Sequence, residues 1–426
     1  MKIATLFLVL ISFNAVVHSR EQSTHLSLEY LLNIDVTRHP IMQEAQAELD
    51  LYQALVQEEK SKTDFSADLT AQAQIIEPSD EALDSSRQDH KLWLSLNKPI
   101  SDFGRTKNKL RQAQLNYEGN QFDFIDKLNH LRINVVKLFF AVILADLRFA
   151  RDNEFMAVAY VQFDRGMARH ELGQLSDVDL LELENRFQQY RQQYYNSQAM
   201  QRYTRSQLSV NLSLPDQLVN DIEAPTFSLY LTKLPDVEML QKKALQQNTT
   251  LQSMRTRLQA AEHRIVAAQA ERHPKLFSSM QLATYSRDSG GYDPWRASVT
   301  LQVPLWAGST VKATTAHYRA ESWRLKANLK SMESAISQSV LEHRLALDTL
   351  AVRREALQKK AEYRELVFDR NQALYEMEVQ SDIGDSMAQM SSVKLQLTQV
   401  ETDLYLTWLR LQALIGVDMS ISRDLM

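Results

Sequence analysis

Residues that break helices are rationed in this chain and crowded into a few narrow windows. Only nine glycines and nine prolines occur in 426 residues, and neither type appears from Ser309 to Ile383. The same holds from Asn120 to Arg165, from Gln174 to Leu214 and from Asp236 to His273. Gly and Pro are the residues a helix interior tolerates least. A helix of about seventy residues rises 1.5 Å per residue and spans about 100 Å. That exceeds the width of an ordinary domain several times over, so the chain is expected to build a long rod or tube.

The N-terminus reads as an export signal. Lys2 supplies a short positive region, Ile3 to Val17 an apolar stretch, and Val17-His18-Ser19 small residues for cleavage. A signal peptide is therefore expected over 1–19. Removing Lys2 leaves the mature chain one charge more negative than the −5 of the full sequence. There is no cysteine, hence no disulfide, no thiolate metal site and no lipid attached through an N-terminal Cys. The mildly acidic balance argues against nucleic acid as a partner. Beyond the signal no run of about 18 apolar residues appears, so no helix is expected to span a membrane. Val135 to Leu144 is the densest apolar stretch, but it is short and carries Lys137.

The chain states its pattern twice. Ser27-Leu28-Glu29-Tyr30-Leu31 and later His39-Pro40 open the first half; Asp236-Val237-Glu238-Met239-Leu240 and later Asn248-Thr249 open the second. Helical runs follow at Ala45 to Ser61 and Leu251 to Glu271. Next comes a strand-like pair in each half. Leu96-Asn97-Lys98-Pro99-Ile100 is then echoed by Leu301-Gln302-Val303-Pro304-Leu305, with Gly104 and Gly308 close behind. The offset is roughly 205 to 209 residues, a duplicated unit rather than a solenoid of short repeats. The repeats are expected over 20–214 and 236–416, joined by a linker at 215–235 containing three prolines and followed by a tail at 417–426.

Four segments carry a strand pattern. In the first, Phe65, Ala67, Leu69, Ala71, Ala73 and Ile75 alternate with polar residues. In the last, Trp295, Ala297, Val299, Leu301 and Val303 do the same. Lys91 to Asn97 and Leu276 to Tyr285 alternate less cleanly. Lengths of about nine to eleven residues suit a tilted strand crossing a bilayer. Trp93, Tyr285, Tyr292 and Trp295 lie near strand ends, where aromatics settle at a membrane interface. The same pattern would also serve two hairpins covering a soluble core. A bilayer strand must belong to a closed barrel, because an open edge leaves peptide groups bare in hydrocarbon. Four strands are too few to close, so in the membrane reading several copies contribute to one barrel.

The remaining segments pair as long helical hairpins, about Arg105 to His170 with Ser176 to Leu212, and Thr310 to Tyr375 with Asp385 to Leu414. In the second, Leu325, Leu329, Met332, Ile336, Val340, Leu347 and Leu350 form a coiled-coil-like stripe that His343 and Arg354 interrupt. Leu341 and Leu345 add apolar surface on a further side, as a helix within a ring of helices requires.

In this order and duplication the chain resembles the TolC-like outer membrane efflux family over nearly its whole mature length. The family's strand exit is matched by Pro99-Ile100-Ser101-Asp102-Phe103-Gly104, and more loosely by Pro304-Leu305-Trp306-Ala307-Gly308. Its hairpin tip is matched by Gly173-Gln174-Leu175-Ser176-Asp177-Val178-Asp179. The resemblance implies a mostly α fold with a small β part. Long antiparallel coiled-coil hairpins would form a periplasmic α-barrel tunnel, and four transmembrane β-strands per chain would enter a shared trimeric barrel of about twelve strands. It also implies a homotrimer in the outer membrane of a Gram-negative bacterium. Such a trimer serves as exit duct for an inner-membrane pump or type I secretion system, joined through a periplasmic adaptor. The second tip departs from the pattern. It reads Tyr375 to Asp385 with Glu378 near the expected glycine, and Gly384 falls inside the returning helix.

Rings of Asp or Glu can select cations and hold a channel shut. On the resemblance, Asp179 and Glu182 in the first tip, with Asp382 and Asp385 in the second, are candidates for a periplasmic constriction. The competing reading makes them ordinary helix N-terminal acids favoured by the dipole. Gly173, Leu175 and Ser176 are candidates for an adaptor-docking tip. No Gly-rich phosphate loop, G-x-S-x-G or H-E-x-x-H motif occurs, and the histidines lack ligand spacing, so no enzyme, cofactor or metal site is expected. The alternative to a channel is a soluble periplasmic coiled-coil scaffold or adaptor, which has no need of bilayer-length amphipathic strands.

Overall fold

The computed structural model describes residues 26–417 except 33–35, 80, 81, 83, 214–221, 226–234, 288–292, 307 and 378–382. The expected signal segment, most of the linker and nearly all of the tail lie outside the described residues. Two 67-residue helices dominate, α3 (Arg105–Glu171) and α7 (Thr310–Glu376). At 1.5 Å per residue each is about 100 Å long. Each is followed by a shorter antiparallel helix, α4 (Asp177–Asn211) after α3 and α8 (Ile383–Leu414) after α7. Each is preceded by a strand pair, β1 (Ser66–Gln72) with β2 (Lys91–Ser101), and β3 (Lys275–Tyr285) with β4 (Trp295–Gln302). The short helices α1 (Leu28–Leu32) and α2 (Pro40–Ser61) open the first half; α5 (Val237–Gln247) and α6 (Thr249–Gln269) open the second.

Local chemistry sets the boundaries. Pro40 stands at the first position of α2, where its missing N–H costs nothing, and the His39 ring caps the Ile41 N–H. This starts the helix five residues earlier than the run from Ala45 indicates. Asn248 divides α5 from α6 by accepting the Leu251 N–H at 3.0 Å. At the start of α3 the chain turns through Gly104 in the left-handed region, and the Asp102 carboxylate accepts from the Thr106 N–H at 2.8 Å.

The strands form one antiparallel sheet in the order β1-β2-β3-β4, so the two halves meet at the β2–β3 seam. β1 is shorter than the alternating run 65–75. With a partner on one side only, it leaves the ladder after Gln72, and Ile75 makes an isolated bridge to Gln88. β1 and β4 are the sheet's two outer strands.

Below the sheet, α3 packs against α2, α4, α6 and α8, while α7 packs against α5, α6 and α8. One apolar cluster joins α1 and α3 to α8 through Leu28, Leu31, Val136, Phe140, Tyr405 and Leu409. Another joins α5, α7 and α8 through Leu240, Ile336, Val340, Leu347, Leu404 and Leu411. Ile336, Val340 and Leu347 are the buried centre of the predicted stripe, whereas Leu341 and Leu345 stay exposed. The interruptions have partners or neighbours of their own. Arg354 lies 3.6 Å from Glu401 across the hairpin, and His343 sits half-buried near Arg410.

Candidate functional site

Two regions decide what this architecture can do, the sheet and the helical tips. In the sheet the register sorts side chains by face, since residues directly opposite one another in an antiparallel ladder point the same way. Leu69 pairs with Leu94, Leu94 with Leu282, and Leu282 with Trp295. That face continues through Ala67, Leu96, Met280 and Ala297, then Val299 and Leu301. The opposite face carries Asp68 with Ser95 and Gln281, then Arg296, Ser279 and Ser298. One face is therefore apolar, the other largely polar. Ala67, Leu69, Trp295, Val299 and Leu301 are all exposed in the single chain.

The aromatics expected at a membrane interface separate. Trp295 lies on the apolar face. Trp93 pairs with Thr70 and Ala283, and Tyr285 with Lys91, which puts both on the polar face. Position near a strand end does not specify a face; parity along the strand does, and Trp93 is out of step with Leu92 and Leu94. Tyr292 lies outside the described residues.

The first tip is built by two caps. Gly173, at φ 71°, donates to the His170 carbonyl (2.8 Å), and Gln174 donates to the Arg169 carbonyl (2.9 Å), a Schellman closure of α3. Ser176 then opens α4. Its hydroxyl accepts the Asp179 N–H at 3.2 Å and donates to the Asp179 carboxylate at 2.7 Å. His170 and Asp177 contact across the turn at 2.6 Å. Gly173, Ser176, Asp179 and Glu182 are exposed and Leu175 is half-buried; Leu172, Val178 and Leu181 add exposed apolar surface. Asp179 thus takes part in a helix cap and also faces solvent.

Behind the tip, a side chain at Gly166 would meet Leu183 at 2.5 Å, so this glycine permits the close approach of α4. Farther along, aromatics bridge the pair: Phe163 with Phe187, Phe155 with Tyr190, and Phe149 with Tyr194, at centroid separations of 6.0, 5.3 and 5.2 Å. Arg205 grips Asp146 with both guanidinium nitrogens, at 2.5 and 2.7 Å. The sequence signal for this seam was present on α4, where Phe187, Tyr190 and Tyr194 recur at intervals of three and four.

In the second tip Asp382 and Glu378 lie outside the described residues. Asp385 is half-buried in the first turn of α8. Gly384, which departs from the family pattern, has a packing reason. A Cβ there would sit 3.0 Å from Val158 on α3. The two tips are thus joined through α3, which receives α4 at Gly166 and α8 at Val158. Asn371 donates to the Ser386 hydroxyl at 2.5 Å and closes the hairpin behind the turn.

Among the described residues no cluster of His, Asp or Glu is arranged to hold a metal ion, and no helix is long and apolar enough to cross a membrane.

Comparison with known proteins identifies the fold. Residues 240–417 match the outer membrane efflux protein family. No curated protein matches the sequence. Among solved structures, a membrane protein from Pseudomonas aeruginosa superposes with a TM-score of 0.74 at 16% identity, covering 94% of this chain and 92% of that one. The CmeC outer membrane channel of Campylobacter jejuni does so with a TM-score of 0.74 at 12% identity, covering 91% and 84%. The outer membrane protein VceC of Vibrio cholerae gives 0.71 at 14% identity, covering 92% and 96%. The chain shares the fold of these outer membrane channels, two long helical hairpins carrying a four-stranded antiparallel sheet.

Proposed function

We propose that this chain, with the fold of a TolC-like channel, is an outer membrane exit duct for efflux or type I secretion. Three copies close one barrel and one helical tunnel in the outer membrane of a Gram-negative bacterium. Cargo enters at the periplasmic end from an inner-membrane pump, through an adaptor that grips the tip at Gly173, Leu175 and Ser176, and passes out without chemistry. The observation that carries this reading is the sheet. It has an apolar face for lipid, a polar face for water and two outer edge strands, β1 and β4, that match each other in length and direction well enough to join between copies. An unclosed sheet cannot lie in hydrocarbon, so the edges call for sister chains. Trp295 is the aromatic suited to the interface.

Asp179 and Asp385 are proposed to line the narrow entrance, with Glu182 one turn along α4 from Asp179. The test is conductance of the purified protein in planar bilayers. A cation-preferring pore that loses its preference in Asp179→Asn or Asp385→Asn supports the assignment. Unchanged selectivity in both returns these residues to a capping role alone. Recovery of the chain only in the soluble periplasmic fraction, without heat-modifiable oligomers, would defeat the channel reading.

A further inference from the structure

A cleft of about 640 Å³ lies between α3, α7 and α8, away from both the sheet and the tips. That volume falls within the ~300–1,000 Å³ common for small-ligand sites. The apolar residues of α8 divide between its neighbours. Tyr405 and Leu409 pack toward α1 and α3, Leu404 and Leu411 toward α5 and α7. The cleft follows the row Gln399, Asp403, Leu406 and Arg410, spaced by four, three and four residues, and borders the first of these groups at Leu406.

The lining has the character of a binding site. Phe140 and Leu144 from α3, Leu350 from α7 and Leu406 from α8 supply an apolar floor. Thr402 also lines the cleft; it is only 2% exposed, and its hydroxyl has no hydrogen-bond partner among the described residues. A buried polar group without a partner is costly, and a ligand oxygen that supplied one would relieve the cost. Lys137 and Arg410 stand at the exposed part of the lining, and neither takes part in an ion pair among the described residues. One acid faces them, Asp403, which already accepts from the Gln399 amide at 3.0 Å. The lining therefore carries one positive charge in excess above an apolar floor.

We propose that this cleft binds an amphipathic organic anion, its ring or aliphatic body on Phe140, Leu144, Leu350 and Leu406 and its carboxylate or sulfonate at Lys137 and Arg410. As a contact for passing cargo the site rests on the channel reading. Binding as such does not, because one chain supplies every residue named.

The test is calorimetric titration of naphthalene-2-sulfonate into the full-length protein in lipid nanodiscs, with 2-naphthylmethylammonium as the cationic control. The expected result is saturable binding at one site per chain, with little or none for the cation. Affinity should fall at least tenfold in Lys137→Gln/Arg410→Gln. It should vanish in Ala141→Phe, which fills the cleft, while Asp403→Asn binds at least as well as the parent. Equal binding of the cation, full affinity in the double variant, or no saturable binding by the folded protein would overturn the proposal. Loss of conductance with anion binding intact would instead count against the channel reading alone.

Discussion

Arginine at Val299 asks which side of the sheet meets hydrocarbon. Val299 is four residues from one end of β4 and three from the other, pairs with Ser278, and lies on the face that carries Leu282, Ala297 and Leu301. It is 67% exposed in the single chain, so the substitution breaks no intramolecular packing. On the lipid face of a barrel, arginine at mid-bilayer costs ~2–4 kcal/mol, falling to ~0–1 near the interfaces. Three copies in one barrel would bring the total to ~6–12 kcal/mol. Thr300 is the control. It is the next residue, it pairs with Phe277, and it faces the polar side with Ser298 and Gln302. Thr300→Arg should cost less than ~1 kcal/mol per chain, because a lumen-facing charge stays in water. The assay is urea titration of folding into vesicles, read by the heat-dependent shift of folded oligomer on a gel. A lower urea midpoint for Val299→Arg, with Thr300→Arg near the parent, is the expected order. Equal midpoints, or the reverse order, would refute the assignment of faces and with it the lipid-facing role of Leu69, Leu94 and Leu282.

Two further outcomes follow from the helices. Burial holds the His343 imidazole below its ordinary value of 6.5, with Arg410 adding to the effect and Glu342 opposing it. A depressed base contributes stability that is present above 6.5 and lost as pH falls through its folded-state value. Acidification below pH 6.5 should therefore weaken the parent more than His343→Gln, and parallel stability curves would contradict this. Gly173 and Gly416 have nearly the same φ, 71° and 70°, but a Cβ at Gly173 meets open space while one at Gly416 would lie 2.4 Å from the Gln247 carbonyl oxygen. Gly173→Ala should cost only the left-handed backbone penalty of ~1–2 kcal/mol. Gly416→Ala should cost clearly more in the same denaturant titration, and equal costs would contradict the close approach of α5 to the end of α8.

Much of this fold was legible because its signals are local. The long interval without Gly or Pro from Ser309 to Ile383 contains the whole of α7, while α3 runs beyond its interval through Gly119 and Gly166. Ser176 opens α4 where an N-cap serine should. Alternation located the four strands for the same reason, each residue carrying its own polarity. Trp93 stands two residues from Ser95 and Tyr285 four from Gln281, so their face was legible in strand parity, and nearness to a strand end was the wrong signal to follow. What depends on neighbours distant in sequence was not legible. Gly384 reads as a helix defect until Val158 is beside it, and Gly166 as a weak point until Leu183 is. The turn from Gly173 to Ser176 was legible because its left-handed glycine and its N-cap serine are both local signals.

The direct test of the whole account is whether β1 of one copy joins β4 of another. The chain contains no cysteine, so with one introduced in β1 at Leu69 and one in β4 along Ala297, Val299 and Leu301 no native thiol competes, and each single-cysteine variant controls for links between like positions. Oxidation of membranes carrying these pairs, followed by denaturing electrophoresis, should yield for at least one pair a covalent ladder that ends at three chains. A disulfide confined to single chains at every pair tried, or none in the membrane fraction, would contradict the shared barrel.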